Sequence, residues 1–222
     1  MERPTIIVPQ SLLTSLDFTW DIAWRGQSVG ETNSGFTQSV YNAFPRWVGT
    51  PSVFLQDQQL AQWRAIRAEA QGMVGIYKIE MDDPIGYNGT YLPNGIPFSE
   101  GVFFSNGYGF SYDPTCTAVT AVAAGATSLR IDVTDTGAAP NEGQIMSHND
   151  WPFMVTSVLQ VSQYVYDITL QMPLRSAIAA DDTIELQGVG LFEAVEESMG
   201  NPVYTGSYAS IVKLNFREVL NR

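Results

Sequence analysis

The sequence predicts a mainly β protein: a β-sandwich or barrel flanked by one helix, with a second, small all-β domain inserted into it. Three observations predict this. Short stretches in which apolar and polar residues alternate recur along the chain. One segment alone, 58–71, carries apolar residues at spacings of three and four. Composition changes in the middle and then changes back, so the chain is read as 1–111 with 193–222, interrupted by 112–192.

The first strand is expected over Phe18-Thr19-Trp20-Asp21-Ile22-Ala23-Trp24-Arg25, where Phe18, Trp20, Ile22 and Trp24 share one face. Gly26 to Gly35 reads as a loop. Phe36–Phe44 and Trp47–Phe54 read as strands, interrupted at Pro45 and Pro51. In the helix, Leu60, Trp63, Ile66 and Ala70 form the apolar stripe, while Ala61, Ala65 and Ala68 supply helix propensity. Asp57 is expected to cap its start and Gly72 to stop it. Val74 to Met81 alternates again and ends at Asp82-Asp83-Pro84. Residues 85–111 are dense in Gly, Asn, Pro and aromatics, which is turn chemistry around short strands.

From Thr115 to Gly188 the chain is rich in Ala, Thr and Val. Leu129, Ile131 and Val133 alternate with polar neighbours, as do Tyr166, Ile168, Leu170 and Met172. Phe153–Val161 is a second apolar run, and Ile184-Glu185-Leu186 a short last strand. Closely spaced strands without a helix predict a small barrel or sandwich. Ser210–Arg217, with Val212, Leu214 and Phe216 on one face, returns to the pattern of the first strands.

Charge follows the same division. Residues 112–192 hold nine acids against Arg130 and Arg175, whereas residues 1–111 hold ten acids and six bases. With a net charge of −12, the chain is expected to bind neither nucleic acid sequence-specifically nor anionic membranes. At 45% hydrophobic and 15% charged residues, intrinsic disorder is excluded. A surface so poor in charge suits faces covered by copies or partners, and equally an ordinary β-protein surface. Apolar runs fall short of a bilayer span. Met1-Glu2-Arg3-Pro4 has no basic region leading into an apolar one, so no secretion signal is expected. The sequon Asn88-Gly89-Thr90 reads as a turn.

Catalytic chemistry has little to build on. His148 is the only histidine and Cys116 the only cysteine, so no metal site, Ser-His-Asp arrangement or intramolecular disulfide is expected. His148 reads as a loop residue beside Asn149 and Asp150, and Cys116 as a buried structural thiol. The acid pairs Asp82-Asp83, Asp181-Asp182 and Glu196-Glu197 read as solvated turn residues, since adjacent strand carboxylates point to opposite faces. Asn106-Gly107-Tyr108-Gly109-Phe110 lacks the third glycine of a dinucleotide loop. No catalytic, cofactor or metal residues are assigned, and a non-enzyme is expected.

Several of these segments are familiar together. Pro45-Arg46-Trp47, the helix segment Gln62-Trp63-Arg64-Ala65-Ile66 ending at Gly72, and Gly75-Ile76-Tyr77-Lys78-Ile79 before Asp82-Asp83-Pro84 resemble distal tail or minor tail proteins of long-tailed bacteriophages. So do Ala123-Ala124-Gly125-Ala126-Thr127-Ser128-Leu129, Gly143-Gln144, Met172-Pro173-Leu174-Arg175 and the closing strand Val212–Glu218. The resemblance implies a tail-tube-like first domain (1–111 with 193–222) and a ring-forming virion protein, commonly hexameric. It would join the tail tube to the baseplate or tail-tip hub, sit at the phage tail tip, and be made in the host bacterial cytoplasm. The implied partners are copies of itself, the tube protein and hub or baseplate proteins; no catalytic residue or cofactor is implied. The alternative is a carbohydrate-binding β-sandwich acting in host-surface adhesion.

Overall fold

The computed structural model describes residues 3–13, 15–17, 19–31, 35–40, 45–81, 102, 104–105, 114–202 and 209–222. The chain divides into two units, 1–82 with 190–222, and 83–189. The expected turns at Asn88 and Gly107-Tyr108-Gly109, the pair Asp82-Asp83, and Phe18 lie outside the described residues.

The first unit opens with β1 (Thr5–Ile7), β2 (Ser15–Asp17), β3 (Trp20–Ala23), the hairpin strands β4 (Gln27–Glu31) and β5 (Thr37–Val40), then β6 (Arg46–Gly49) and β7 (Ser52–Gln56). Pro51 separates β6 from β7, as its missing N–H dictates. The helix α1 (Asp57–Ala70) follows, then β8 (Ile76–Glu80). The expected strand 18–25 is shorter than its alternation. Ile22 is buried and Trp20 half-buried, but Arg25 takes a left-handed conformation (φ 54°) and Trp24 is left 51% exposed beyond the strand end. Trp24 therefore does not extend the buried side of Ile22: β3 is an edge strand, and the chain turns off the sheet at Arg25.

The helix buries Leu60, Trp63, Ile66 and Ala70, the stripe that the three-and-four spacing marked. Its caps differ from the expectation. Asp57 is the first helical residue, and the capping position is Gln56, whose N–H donates to Gln59 Oε1 at 3.3 Å. At the other end Gln71 already turns left-handed (φ 49°), one residue before Gly72 (φ 68°). Gln59 Oε1 satisfies a donor at the helix start, as a capping box does.

The middle of the chain supplies β9 (Thr115–Ala118), β10 (Ser128–Asp132), β11 (Ile145–His148), β12 (Trp151–Gln160), β13 (Val165–Gln171) and β14 (Thr183–Glu185). These close into a six-stranded barrel in the order β10-β13-β12-β11-β14-β9, which leaves no open sheet edge. The alternation reads through directly: Leu129, Ile131, Val155, Ile168, Leu170 and Ile184 are buried, while Arg130, Asp167 and Thr169 lie on the outer side. Leu159, though part of an apolar run, is 66% exposed on β12.

The chain then runs through β15 (Val189–Ala194), β16 (Ala209–Lys213) and β17 (Phe216–Glu218). These complete the first unit's sheets, one in the order β1-β8-β15-β17-β6-β3 and another in the order β16-β7-β2. An aromatic row ties the larger sheet to the helix, running from Trp63 to Tyr77, Phe216, Phe192 and Trp20 at ring separations of 6.5, 5.4, 6.3 and 4.8 Å. Trp63, Tyr77, Phe192 and Phe216 are almost wholly buried, and each fully buried large side chain contributes about 1.5–3 kcal/mol. The Trp20 ring lies against its cross-strand partner Gly49, where a Cβ would run into the ring.

Candidate functional site

His148 is not a loop histidine. It ends β11, where all four residues are buried, so no alternation marked the strand in the sequence. Asn149 and Asp150, both left-handed (φ 51° and 62°), make the tight two-residue turn into β12, with His148 opposite Trp151. The imidazole Nε2 lies 3.4 Å from Asp182 Oδ2 and 3.2 Å from Asn149 Nδ2. Its Nδ1 is buried without a hydrogen-bond partner among the described residues. The void beside it, lined by Trp151, Pro152, Leu174 and Ser176, is about 10 Å³. That is room for no more than a water on this side of the ring.

Asp182 is more than a solvated turn acid, because its Oδ2 also accepts the Ala179 N–H at 2.7 Å and so fixes the turn before β14. Glu196 and Glu197 are exposed. Cys116 is 3% exposed on β9, and burial, helped by Glu185 and Asp132, pushes its thiol up to about 12. It therefore stays protonated and unreactive near neutrality. Among the described residues no three His, Cys, Asp or Glu side chains gather as metal ligands, and no helix is long and apolar enough to cross a membrane.

Two features of the surface stand out instead. The first is an open groove of about 440 Å³ on the outside of the barrel. Strand β10 contributes Ser128 and Arg130, β13 contributes Asp167 and Thr169, and β12 contributes Ser157 and Leu159. Arg130 stands directly opposite Asp167 and grips it with two hydrogen bonds, Nε to Oδ1 at 2.6 Å and Nη2 to Oδ2 at 2.7 Å. The Arg130 hydrogen bonds hold the Asp167 carboxyl below its ordinary range, so it is an anion at neutral pH and no general acid. Beside the pair, Ser157 Oγ donates to Thr169 Oγ1 at 2.9 Å. Hydroxyls, one ion pair and an exposed Leu159 line this groove. Alternation put Arg130, Asp167 and Thr169 outside; only the pairing of β10 with β13 and β13 with β12 brings them together with Ser157 and Leu159.

The second feature is the outer surface of the first unit. In the sheet β16-β7-β2, Val53, Leu55 and Val212 are buried on the inner face, and α1 packs against β7 and β16. On the outer face Phe54 stands opposite Ile211, at 39% and 59% exposure. The hairpin β4–β5 is a two-stranded sheet in which every side chain of known burial is exposed, including that of Val40. A lone hairpin of this kind is marginal in water. Compared with known proteins, the chain matches no protein-family model and no curated relative.

Proposed function

We propose that the chain is a virion structural protein: a ring-forming distal tail component of a long-tailed bacteriophage that joins the tail tube to the baseplate or tail-tip hub. The observation that carries this reading is the first unit's surface. A hairpin with no buried side chain of known burial, and a sheet that shows Phe54 and Ile211 to solvent, suit a subunit whose faces are covered on assembly. In this reading the chain acts without turnover and without a cofactor; its partners are its own copies, the tube protein and the hub proteins, and it resides at the tail tip. Negative-stain microscopy of the purified protein tests it, with complementation of a phage lacking this gene product. Rings of uniform size and restored tails are expected, and Cys116→Ala with His148→Gln should leave both intact. A double variant with normal tails and no infection would overturn the structural reading in favour of a catalytic one.

A second reading, a carbohydrate-binding module acting in host-surface adhesion, draws on the barrel groove, whose hydroxyls and Arg130–Asp167 pair suit a neutral, hydroxylated ligand. Calorimetry with oligosaccharides released from the host cell wall tests it. Binding lost in Ser157→Ala and Arg130→Gln variants is expected, and no binding in the wild type refutes it.

A further inference from the structure

The three-stranded sheet β16-β7-β2 has two outer strands, and among the described residues neither carries a further neighbour on its free side. Both outer strands run antiparallel to β7, so they run parallel to each other. An open edge presents unpaired N–H and C=O groups that another strand can take up. Because the two free edges differ, joining one to the other is a head-to-tail contact, which repeats into a ring when its rotation closes.

The side chains on these edges are complementary. Lys213 on β16 and Asp17 on β2 are each in register with Ser52 on β7, so they sit at the two ends of one cross-strand row and on one face. Both are exposed. Continue that row into a second copy and Asp17 comes beside the next copy's Lys213, at neighbouring-strand spacing of about 4.8 Å between backbones. Two residues along β16 and β7 from that row, and on the same face, stand Ile211 and Phe54.

We infer that copies of this chain join edge to edge, β2 of one pairing in parallel with β16 of the next, with Asp17 set against Lys213 of that next copy. The inference rests on the ring-forming reading and names the surface that would make the ring. A two-fold contact of β16 with β16 would leave Asp17 without a part in it. A lysine that merely guards the edge would work alone, and its removal would increase association.

The test is sedimentation velocity of the full chain over a range of concentrations, in low and high salt. The wild type is expected to associate, less so in high salt. Asp17→Lys and Lys213→Asp should each raise the apparent dissociation constant at least about tenfold, since each sets like charges together. The double exchange D17K/K213D should restore association, and so should an equimolar mixture of the two single variants. Unchanged thermal unfolding of each variant shows that the fold is intact. Association in the wild type that ignores Asp17→Lys, or that the double exchange fails to restore, overturns the edge pairing and leaves the ring reading standing. A wild type that is monomeric throughout overturns both.

Discussion

The indole N–H of Trp63 donates to the carbonyl of Gly200 at 2.8 Å, joining two residues 137 positions apart. The contact locks the helix to the returning segment of the first unit. Gly200 is left-handed (φ 66°), and a Cβ there would lie 2.7 Å from Trp63 Cζ2 and 2.9 Å from Leu214 Cδ2. Gly200→Ala should therefore destabilise the protein by about 2–5 kcal/mol, adding backbone strain to overpacking. Trp63→Ala should cost about 3–5 kcal/mol through the cavity it leaves. Trp63→Phe should cost about 1–3 kcal/mol, chiefly through the unsatisfied carbonyl. Urea unfolding followed by far-ultraviolet circular dichroism measures all three, and a Gly200→Ala variant as stable as wild type would contradict this packing.

Cys116 makes stability depend on alkaline pH. Burial raises the thiol from 9.0 to about 12 in the folded chain, so below 9 both states are protonated and its contribution is intact. Between 9 and 12 the unfolded thiol ionises while the folded one does not, and stability falls by at most about 1.4 kcal/mol per pH unit. Cys116→Ala should flatten the profile in that window relative to wild type, in paired urea titrations. At pH 8 the native thiol should also resist alkylation until the protein is unfolded.

Arg130 holds the Asp167 carboxyl below 3.8, principally by hydrogen bonding. The sign is that of a depressed acid: the stabilisation is present above the unfolded pKa and lost as pH falls through the folded one. Arg130→Gln should raise the Asp167 midpoint in a carboxyl-carbon NMR titration while leaving the barrel folded. An unmoved midpoint would show that the bidentate contact is absent in solution.

The mainly β class, the single helix and the buried stripe of Leu60, Trp63, Ile66 and Ala70 were legible in the residues, because period alone marks a half-buried element. Strand β11 was not, since burial on both faces erases alternation, and His148 was therefore misplaced in a loop. The strand expected to run on through Trp24 stops at Ala23 for another reason. Alternation marks which residues can share a face, but the turn at Arg25 decides where the strand stops.

By itself the sequence determined the local periods, the acidic middle, the lone histidine and cysteine, and which side of β10 and β13 faces out. These are properties of neighbouring residues, and the pleat converts them into faces without reference to the rest of the chain. Only the tertiary structure decided that Arg130 meets Asp167, that Trp63 reaches Gly200, and that Lys213 and Asp17 flank Ser52 in one row. Each of these joins segments far apart along the chain, and which strand pairs with which is fixed by closing the barrel and packing the sheets around their cores.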